Sequence, residues 1–341
     1  MPPDIWKETQ HRSCTGQKRT LFCAIFMLML LTYITFWSSN ALSDYAYHFS
    51  AAIRVESSQD QDIQNGSFIF IETGGHKSIN ARQACSVESA ALRHPSLTVQ
   101  FLVTAPPSDT CTYFNILRQI SNIKIKYLNV EQALAGTPLE SWYNTPQRKA
   151  SPFAVSHLSD ALRFFMLWRH GGIYADTDVI VQSPMSGLRN TLGKEHAAGM
   201  GSAVLIFDLG EPFLADAIQT FAKKYDPYVW AINGPDLLGR MLQKRCPGVW
   251  NVTDASLTCG SIRVLSSSAF FLVPWQKWNM MFDATKTSEV LQVTNNSYAI
   301  HFWNKMSKDK KVVVGSNVTY DVLARMNCPK VYEAVRTTGY F

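Results

Sequence analysis

Charge is scarce in this chain of 341 residues and does not cluster. Asp, Glu, Lys and Arg make up 17% of it, with 32 basic against 26 acidic side chains. The formal net charge of +6 is scattered, and no basic run goes beyond the short KDKK at Lys308–Lys311. A nucleic-acid footprint concentrates Lys and Arg on one face, so this distribution argues against such a partner. None of the seven cysteines stands in a paired C-x-x-C, which removes the usual zinc modules. No internal repeat recurs, which removes solenoids and propellers. Long apolar runs are missing too, except for one.

That run is LFCAIFMLMLLTYITFW, Leu21 to Trp37, and it holds no charge. As a helix it spans about 25 Å, which suits the thinner membranes of the early secretory pathway. Lys7, Arg12, Lys18 and Arg19 precede it, against Asp4 and Glu8. The positive-inside rule makes residues 1–20 a cytoplasmic tail, 21–37 a transmembrane signal-anchor, and everything beyond lumenal. The competing reading is a cleaved signal peptide, because ALS offers small residues. The length of the run and the bulky Phe36 and Trp37 at its end favour the anchor. N-x-S/T sequons at Asn65, Asn251, Asn295 and Asn317 all follow it, as lumenal glycosylation requires. So do Cys85, Cys111, Cys246, Cys259 and Cys328. Five is odd, so at least one thiol stays free or pairs outside the chain; proximity singles out Cys246 with Cys259.

Residues 38–66 are polar and read as a stem. From residue 67 to 341 a rhythm of short apolar runs and helical stretches describes one α/β domain. SFIFIE, LTVQFLVT and IKIKYL read as strands, and NARQACSVESAALR as a helix capped by Asn80. SHLSDALRFFMLWRH has helical spacing and stops at Gly171, and GIYADTDVIV follows as a further strand. SAVLIF and SYAIHFW read as later strands, EPFLADAIQTFAKKY and GPDLLGRMLQK as helices. Strand and helix alternate, which predicts a parallel sheet with both faces covered and a ligand at the carboxyl ends of its strands.

Asp176 and Asp178 fall in the exiting half of GIYADTDVIV. On a strand, residues i and i+2 point to one side, so the two carboxylates converge on one cation. Oxygen ligands select magnesium, manganese or calcium, ions that keep positions open for substrate phosphates. A D-x-D by itself is weak; the stem carries another, Asp60 and Asp62, among polar residues, with no chemistry attached.

Context separates the two. The segment SDALRFFMLWRHGGIYADTD resembles the signature of retaining glycosyltransferases with a DXD sugar-binding region. Together with this segment, CSVESAALRHP and TPLESWY before it and GPDLL, PWQKW and HFWNK after it occur in the order seen in the lactosylceramide 4-alpha-galactosyltransferase family. The resemblance covers most of residues 67–330. It implies a GT-A-type, Rossmann-like nucleotide-sugar domain behind the anchor, a Golgi type II membrane topology, and UDP-galactose as donor with manganese or magnesium. Asp160 and Arg163, one helical turn apart, would contact donor sugar and nucleotide; Thr73 would meet the uridine, and Tyr174 belongs to the G-G-x-Y-x-D-x-D pattern. Asp176 would contact ribose, sugar or metal, Asp178 would bind the metal directly, and His301 of HFWNK would be a third contact to metal or diphosphate. Trp303 would stack or hydrogen-bond near the diphosphate, and Lys305 would help neutralise the departing UDP.

Asn233 and Asp236 of WAINGPDLL fall where the family presents side chains to the anomeric carbon. A neutral amide at Asn233 suits same-face attack through a short-lived oxocarbenium ion. Asp236 is either a nucleophile or a helix cap. Gly201-Ser202 replaces the Asn-Gly or Asn-Ala of the family pattern, which would make room for an acetamido group on the donor. The expected activity is α-1,4 transfer of galactose to a terminal β-linked sugar of a glycosphingolipid such as lactosylceramide. Transfer of N-acetylgalactosamine is the enzymatic alternative. A lumenal sugar-binding protein without turnover is the alternative of a different class, and the intact Asp160, Arg163, Asp176, Asp178 and His301 argue against it.

Overall fold

The computed structural model describes residues 63–250 and 255–341. The tail, the anchor, nearly all of the stem, the second D-x-D and the sequon at Asn251 lie outside the described residues. No helix among the described residues is long and apolar enough to cross a membrane.

β1 (Phe68–Glu72) is buried at every position, as a strand covered on both faces must be. It lies parallel to β2 (Val99–Val103), which lies parallel to β3 (Ile123–Tyr127). The lysines of IKIKY belong to β3 at one sheet edge, where charge discourages further pairing. Helix α1 (Ala81–Arg93) crosses from β1 to β2 and starts in a reciprocal capping box. Asn80 Oδ1 accepts from the Gln83 amide at 3.0 Å, and Asn80 N donates to Gln83 Oε1 at 3.0 Å. Helix α2 (Thr112–Arg118) leads into β3.

Helix α3 (Ala154–His170) runs to Gly171 and Gly172, whose φ values are 62° and 108°. A Cβ at Gly172 would lie 2.1 Å from the Ser67 carbonyl, so only glycine lets the chain enter β4 (Gly172–Ala175) parallel to β1. Beyond β4 the sheet turns antiparallel. β7 (Gly199–Phe207) pairs with β4 and with β6 (Thr191–His196), because β6 and β7 form a hairpin. β9 (Ile262–Leu265) runs parallel to β6, and β8 (Leu257–Cys259) antiparallel to β9. The eight-stranded order is β3-β2-β1-β4-β7-β6-β9-β8. The expected α/β sheet is therefore parallel on one side and mixed on the other, since a tight hairpin can only join antiparallel strands.

GIYADTDVIV is not one strand. It splits into β4 and β5 (Val179–Val181) around a turn at Asp176–Asp178, closed by Val179 N donating to the Asp176 carbonyl at 3.1 Å. β5 leaves the main sheet and pairs antiparallel with β10 (Ala299–His301), with Val179 opposite His301. Ser86 of α1 pins the turn by donating to the Thr177 carbonyl at 2.8 Å.

Longer helices beyond α3 are α4 (Pro212–Lys223), α5 (Pro235–Arg245), α6 (Thr287–Thr294), α7 (Thr319–Asn327) and α8 (Pro329–Arg336), with several single-turn helices between the elements. Cys246 bonds to Cys259 as proximity suggested; Cys85 bonds to Cys328, tying α1 to the junction of α7 and α8. Cys111 is the odd thiol, free and buried.

Candidate active site

Strand order places the site. β2 lies on one side of β1 and β4 on the other, so the connections diverge there and a crevice opens beyond the carboxyl ends of β1 and β4. The crevice is a cleft of about 340 Å³. β1 delivers Glu72 and Thr73 to it, β4 delivers Asp176, and α3 delivers Asp160 and Arg163.

Asp178 is held by two donors on one oxygen. His301 Nε2 lies 3.2 Å from Oδ2, and Asn304 N donates to the same atom at 2.7 Å. The β5–β10 register sets the first contact. The second follows from Trp303, whose left-handed backbone (φ 55°, ψ 53°) starts the short helix Asn304–Ser307 and turns Asn304 N toward the carboxylate. Burial alone would raise the Asp178 pKa, but the charge and hydrogen bond of His301, with Asn304 N, hold it below the ordinary carboxylate value. His301 shows the reciprocal effect. Burial favours the neutral ring, and Asp178 outweighs it, so its pKa is raised.

Asp176 belongs to a second group. Arg163 Nη2 lies 3.1 Å from Asp176 Oδ1 and 3.5 Å from Asp160 Oδ1, and Tyr174 Oη donates to Asp176 Oδ1 at 2.5 Å. Arg163 also donates to the Ser202 carbonyl at 2.7 Å and to Ser159 Oγ at 2.8 Å, so its planar head is fixed. One guanidinium is shared between the buried Asp160 and the half-buried Asp176. Burial pushes the Asp160 acid up to about 7, against the pull of Arg163 and with Asp176 adding to it.

Asp176, Asp178 and His301 each present a ligand atom within 4.8 Å of the others. Among the described residues, His301 Nδ1, Asn304 Oδ1 and Glu72 Oε2 are buried without a hydrogen-bond partner, and all three residues line the cleft. Buried polar atoms rarely stay unpaired, so this clustering marks a place for a polar ligand. Two carboxylates and an imidazole suit a divalent cation of the magnesium or manganese type.

The other expected residues divide. Thr73 lines the cleft, its Oγ1 donating to the Val155 carbonyl at 3.1 Å. Lys305 lines it from an exposed position. Trp303 lines it as well, but its indole N–H donates to the Val273 carbonyl at 2.9 Å, so its hydrogen bond is spent on the fold. Its ring centre lies 4.1 Å from that of His301, which it braces.

Asn233 does not face the cleft. Its Oδ1 accepts from Asp226 N at 3.0 Å and its Nδ2 donates to the Asp226 carbonyl at 2.6 Å, so the amide closes a loop. Asp236 is exposed in the first turn of α5, and its neighbour Pro235, rather than Asp236 itself, lines the cleft. Gly201 opens no space for a donor group either. A Cβ there would lie 2.3 Å from the Phe271 ring, so the missing side chain accommodates Phe271, which packs edge-on to His301.

Sequence reasoning missed Glu72 and Glu195. Glu195 lies in β6 between Lys194 and His196, where the register with β7 shifts, and such an irregularity re-aims a side chain into the cleft. Burial pushes its acid up to about 7; His301 opposes this and Asp236 adds to it. No pattern within TLGKEH announces it, because the irregularity lies in its pairing with β7. The lone Glu72 at a strand end offered only the weak signal of a carboxylate closing an apolar run.

A carboxylate–imidazole cluster able to hold a divalent ion, beyond the carboxyl edge of a Rossmann-like half-sheet and beside a fixed arginine, is an arrangement suited to transferases that bind nucleotide-linked donors. Comparisons narrow it. Residues 80–198 match the glycosyltransferase sugar-binding region containing the DXD motif, and residues 206–335 match the alpha 1,4-glycosyltransferase conserved region. The mouse lactosylceramide 4-alpha-galactosyltransferase is 33% identical over 276 residues, covering 80% of this chain and 76% of the mouse protein. The rat protein of the same name is 30% identical over 344 residues, covering 98% and 95%. The human alpha-1,4-N-acetylglucosaminyltransferase is 31% identical over 272 residues, covering 77% and 79%. The chain belongs to this alpha-1,4-glycosyltransferase family and is a hexosyltransferase. Among solved structures, the PaToxG glycosyltransferase aligns at a TM-score of 0.46 and 18% identity over 65% of this chain and 83% of that one, too loose a likeness to carry an argument.

Proposed function

We propose that this enzyme transfers galactose from UDP-galactose in α-1,4 linkage, with retention, to the terminal β-linked sugar of a glycosphingolipid. The observation that carries the reading is the meeting of Asp176, Asp178 and His301 in one cleft with the Asp160–Arg163 pair. A manganese or magnesium ion held by Asp176, Asp178 and His301 would supply Lewis-acid neutralisation of the charge left on the diphosphate when the sugar departs.

The chain's own residues do the rest. Arg163 stays cationic and fixed, and its grip on Asp176 and Asp160 keeps the cluster from spreading. Asp160, with an acid pushed up to about 7, is poised to offer a hydroxyl to a donor oxygen as well as to accept from one. Trp303 and Phe271 wall His301 away from bulk water. Thr73, at the end of β1, is set to meet the uridine, and Lys305 the outgoing phosphates. No step is assigned to Asn233, and Asp236 fits better as a first-turn acid facing the helix dipole than as a nucleophile.

Transfer of an N-acetylhexosamine is the second reading. The human N-acetylglucosaminyltransferase among the relatives favours it, whereas the packing of Phe271 into Gly201 removes the sequence argument for it. The membrane anchor and Golgi setting proposed from residues 1–37 would bring the cleft to a lipid-borne acceptor.

The test incubates the full-length protein in detergent with manganese, lactosylceramide and either UDP-galactose or a UDP-N-acetylhexosamine. The expected product carries a new α-anomeric signal from UDP-galactose alone. A β-anomeric product would overturn retention, and transfer only from the N-acetylated donor would overturn the donor assignment.

A further inference from the structure

We propose that Trp230 is the platform on which the acceptor's terminal sugar packs, and that it selects a galactose-configured ring. The proposal rests on the reading of the chain as a transferase with a sugar acceptor, and deepens it.

Residues 225–234, the segment leading into α5, lack regular structure but are tied down. Asn233 clamps both backbone groups of Asp226, at 3.0 and 2.6 Å. Tyr228 N donates to Asp226 Oδ1 at 2.8 Å, and Ser151 Oγ donates to the Pro227 carbonyl at 2.6 Å. His157, itself buried, lies 3.0 Å from Tyr225 Oη and 3.3 Å from the Val229 carbonyl. This polar scaffold holds up an apolar tip. Tyr228, Val229 and Trp230 are 74%, 45% and 41% exposed. Three consecutive large apolar side chains left in water on a fixed loop mark a preorganised contact surface.

Of the three, Trp230 lines the same cleft as Asp176, Asp178 and His301. Lys305 Nζ lies between two rings, 5.1 Å from the centre of Phe153 and 5.7 Å from that of Trp230, and steadies the indole from inside the rim. Trp230 thus joins the reaction cleft to its mouth, where an acceptor must enter.

The chemistry of the ligand follows from the indole. A pyranose packs on an aromatic face through a side that shows only C–H bonds, whose weak positive charge meets the negative ring face. In galactose the hydrogens on C3, C4 and C5 share one side, and the axial O4 hydroxyl projects from the other. A galactosyl ring seated on Trp230 by its C–H side therefore turns O4, the hydroxyl an α-1,4 linkage consumes, away from the indole. In glucose O4 is equatorial, and the same seating points it along the ring plane. Trp230 would in this way couple acceptor identity to linkage position.

The test measures transfer by the full-length protein in detergent, with manganese and UDP-galactose, to methyl β-galactoside and methyl β-glucoside. In Trp230→Ala the KM for the galactoside is expected to rise at least about tenfold, more than kcat changes, and the preference over the glucoside to collapse; Trp230→Phe should restore most of both. UDP affinity by calorimetry reads the donor site separately. A galactoside KM within about twofold of the parent in Trp230→Ala overturns the proposal. So does a loss confined to glycolipid in vesicles and shared by Tyr228→Ala, which would assign the loop to the bilayer. Should the parent protein transfer to neither acceptor, the functional reading fails, and saturation-transfer NMR of methyl β-galactoside still decides the platform. Signal lost in Trp230→Ala supports it, and equal signals in both proteins reject it.

Discussion

Replacing Glu195 by glutamine keeps the shape of the side chain and removes one charge from the cleft. Burial lifts the Glu195 acid from its ordinary 4.5 to about 7, despite the opposing charge of His301. An acid raised in this way binds more protons in the folded chain than in the unfolded one. Its cost to stability is absent below the unfolded pKa, grows as pH rises from 4.5, and is complete above about 7. At ~1.4 kcal/mol per tenfold change in proton affinity, the displacement amounts to a ceiling of ~3 kcal/mol, reduced by the water that still reaches a partly exposed carboxylate. Glutamine carries none of that cost. Urea unfolding under non-reducing conditions, with chelator present, should find Glu195→Gln more stable than the parent by about 1–3 kcal/mol at pH 8. At pH 4 the two curves should nearly coincide. An equal difference at both pH values, or a less stable variant at pH 8, would refute the assignment of the strain to an ionised Glu195.

Asp178→Asn removes the carboxylate that gathers His301 and the Asn304 amide. Manganese quenching of tryptophan fluorescence, with Trp303 beside His301, should then need at least about a hundredfold more metal; quenching at parental concentrations would sink the ligand assignment. Gly201→Ala places a Cβ within 2.3 Å of the Phe271 ring and should destabilise the fold by about 1–3 kcal/mol in urea. Adding Phe271→Leu should recover part of that loss, and no recovery would mean the clash lies elsewhere. Serines at both Cys85 and Cys328 free a bridge spanning 243 residues, and unfolding should show a loss of about 2–5 kcal/mol. An unchanged denaturation midpoint would show that the contacts of α7 and α8 suffice without it.

Local chemistry was legible where one short segment carried it. Asn80 with Gln83 three residues on spelled out the start of α1, and the stop of α3 followed from Gly171. The Asp160–Arg163 spacing announced a pair on one helical turn, and the tertiary structure keeps that pair. The aspartates of YADTD were legible as a cluster even though the expected strand is a turn. Both geometries bring i and i+2 carboxylates near one another. For Asn233, family position says where the residue lies along the chain but not which way its amide is turned. Its two hydrogen bonds, one accepted from Asp226 N and one donated to the Asp226 carbonyl, turn it away from the cleft. At Gly201 a missing side chain opens space only if no neighbour fills it, and Phe271 does.

The sequence by itself determined the alternation of elements in the first half of the domain, the start of α1 at Asn80 and the stop of α3 at Gly171, and the residue types able to hold a divalent ion, because propensity, capping and hydrophobic period act over a few residues. Only the tertiary structure decided that the chain leaves the sheet after Ala175, that β5 meets β10 with His301 beside Asp178, and that a bulge aims Glu195 into the same cleft. The first two depend on a pairing between segments more than a hundred residues apart, and the third on irregular pairing within the β6–β7 hairpin, and a hydrophobic period encodes neither.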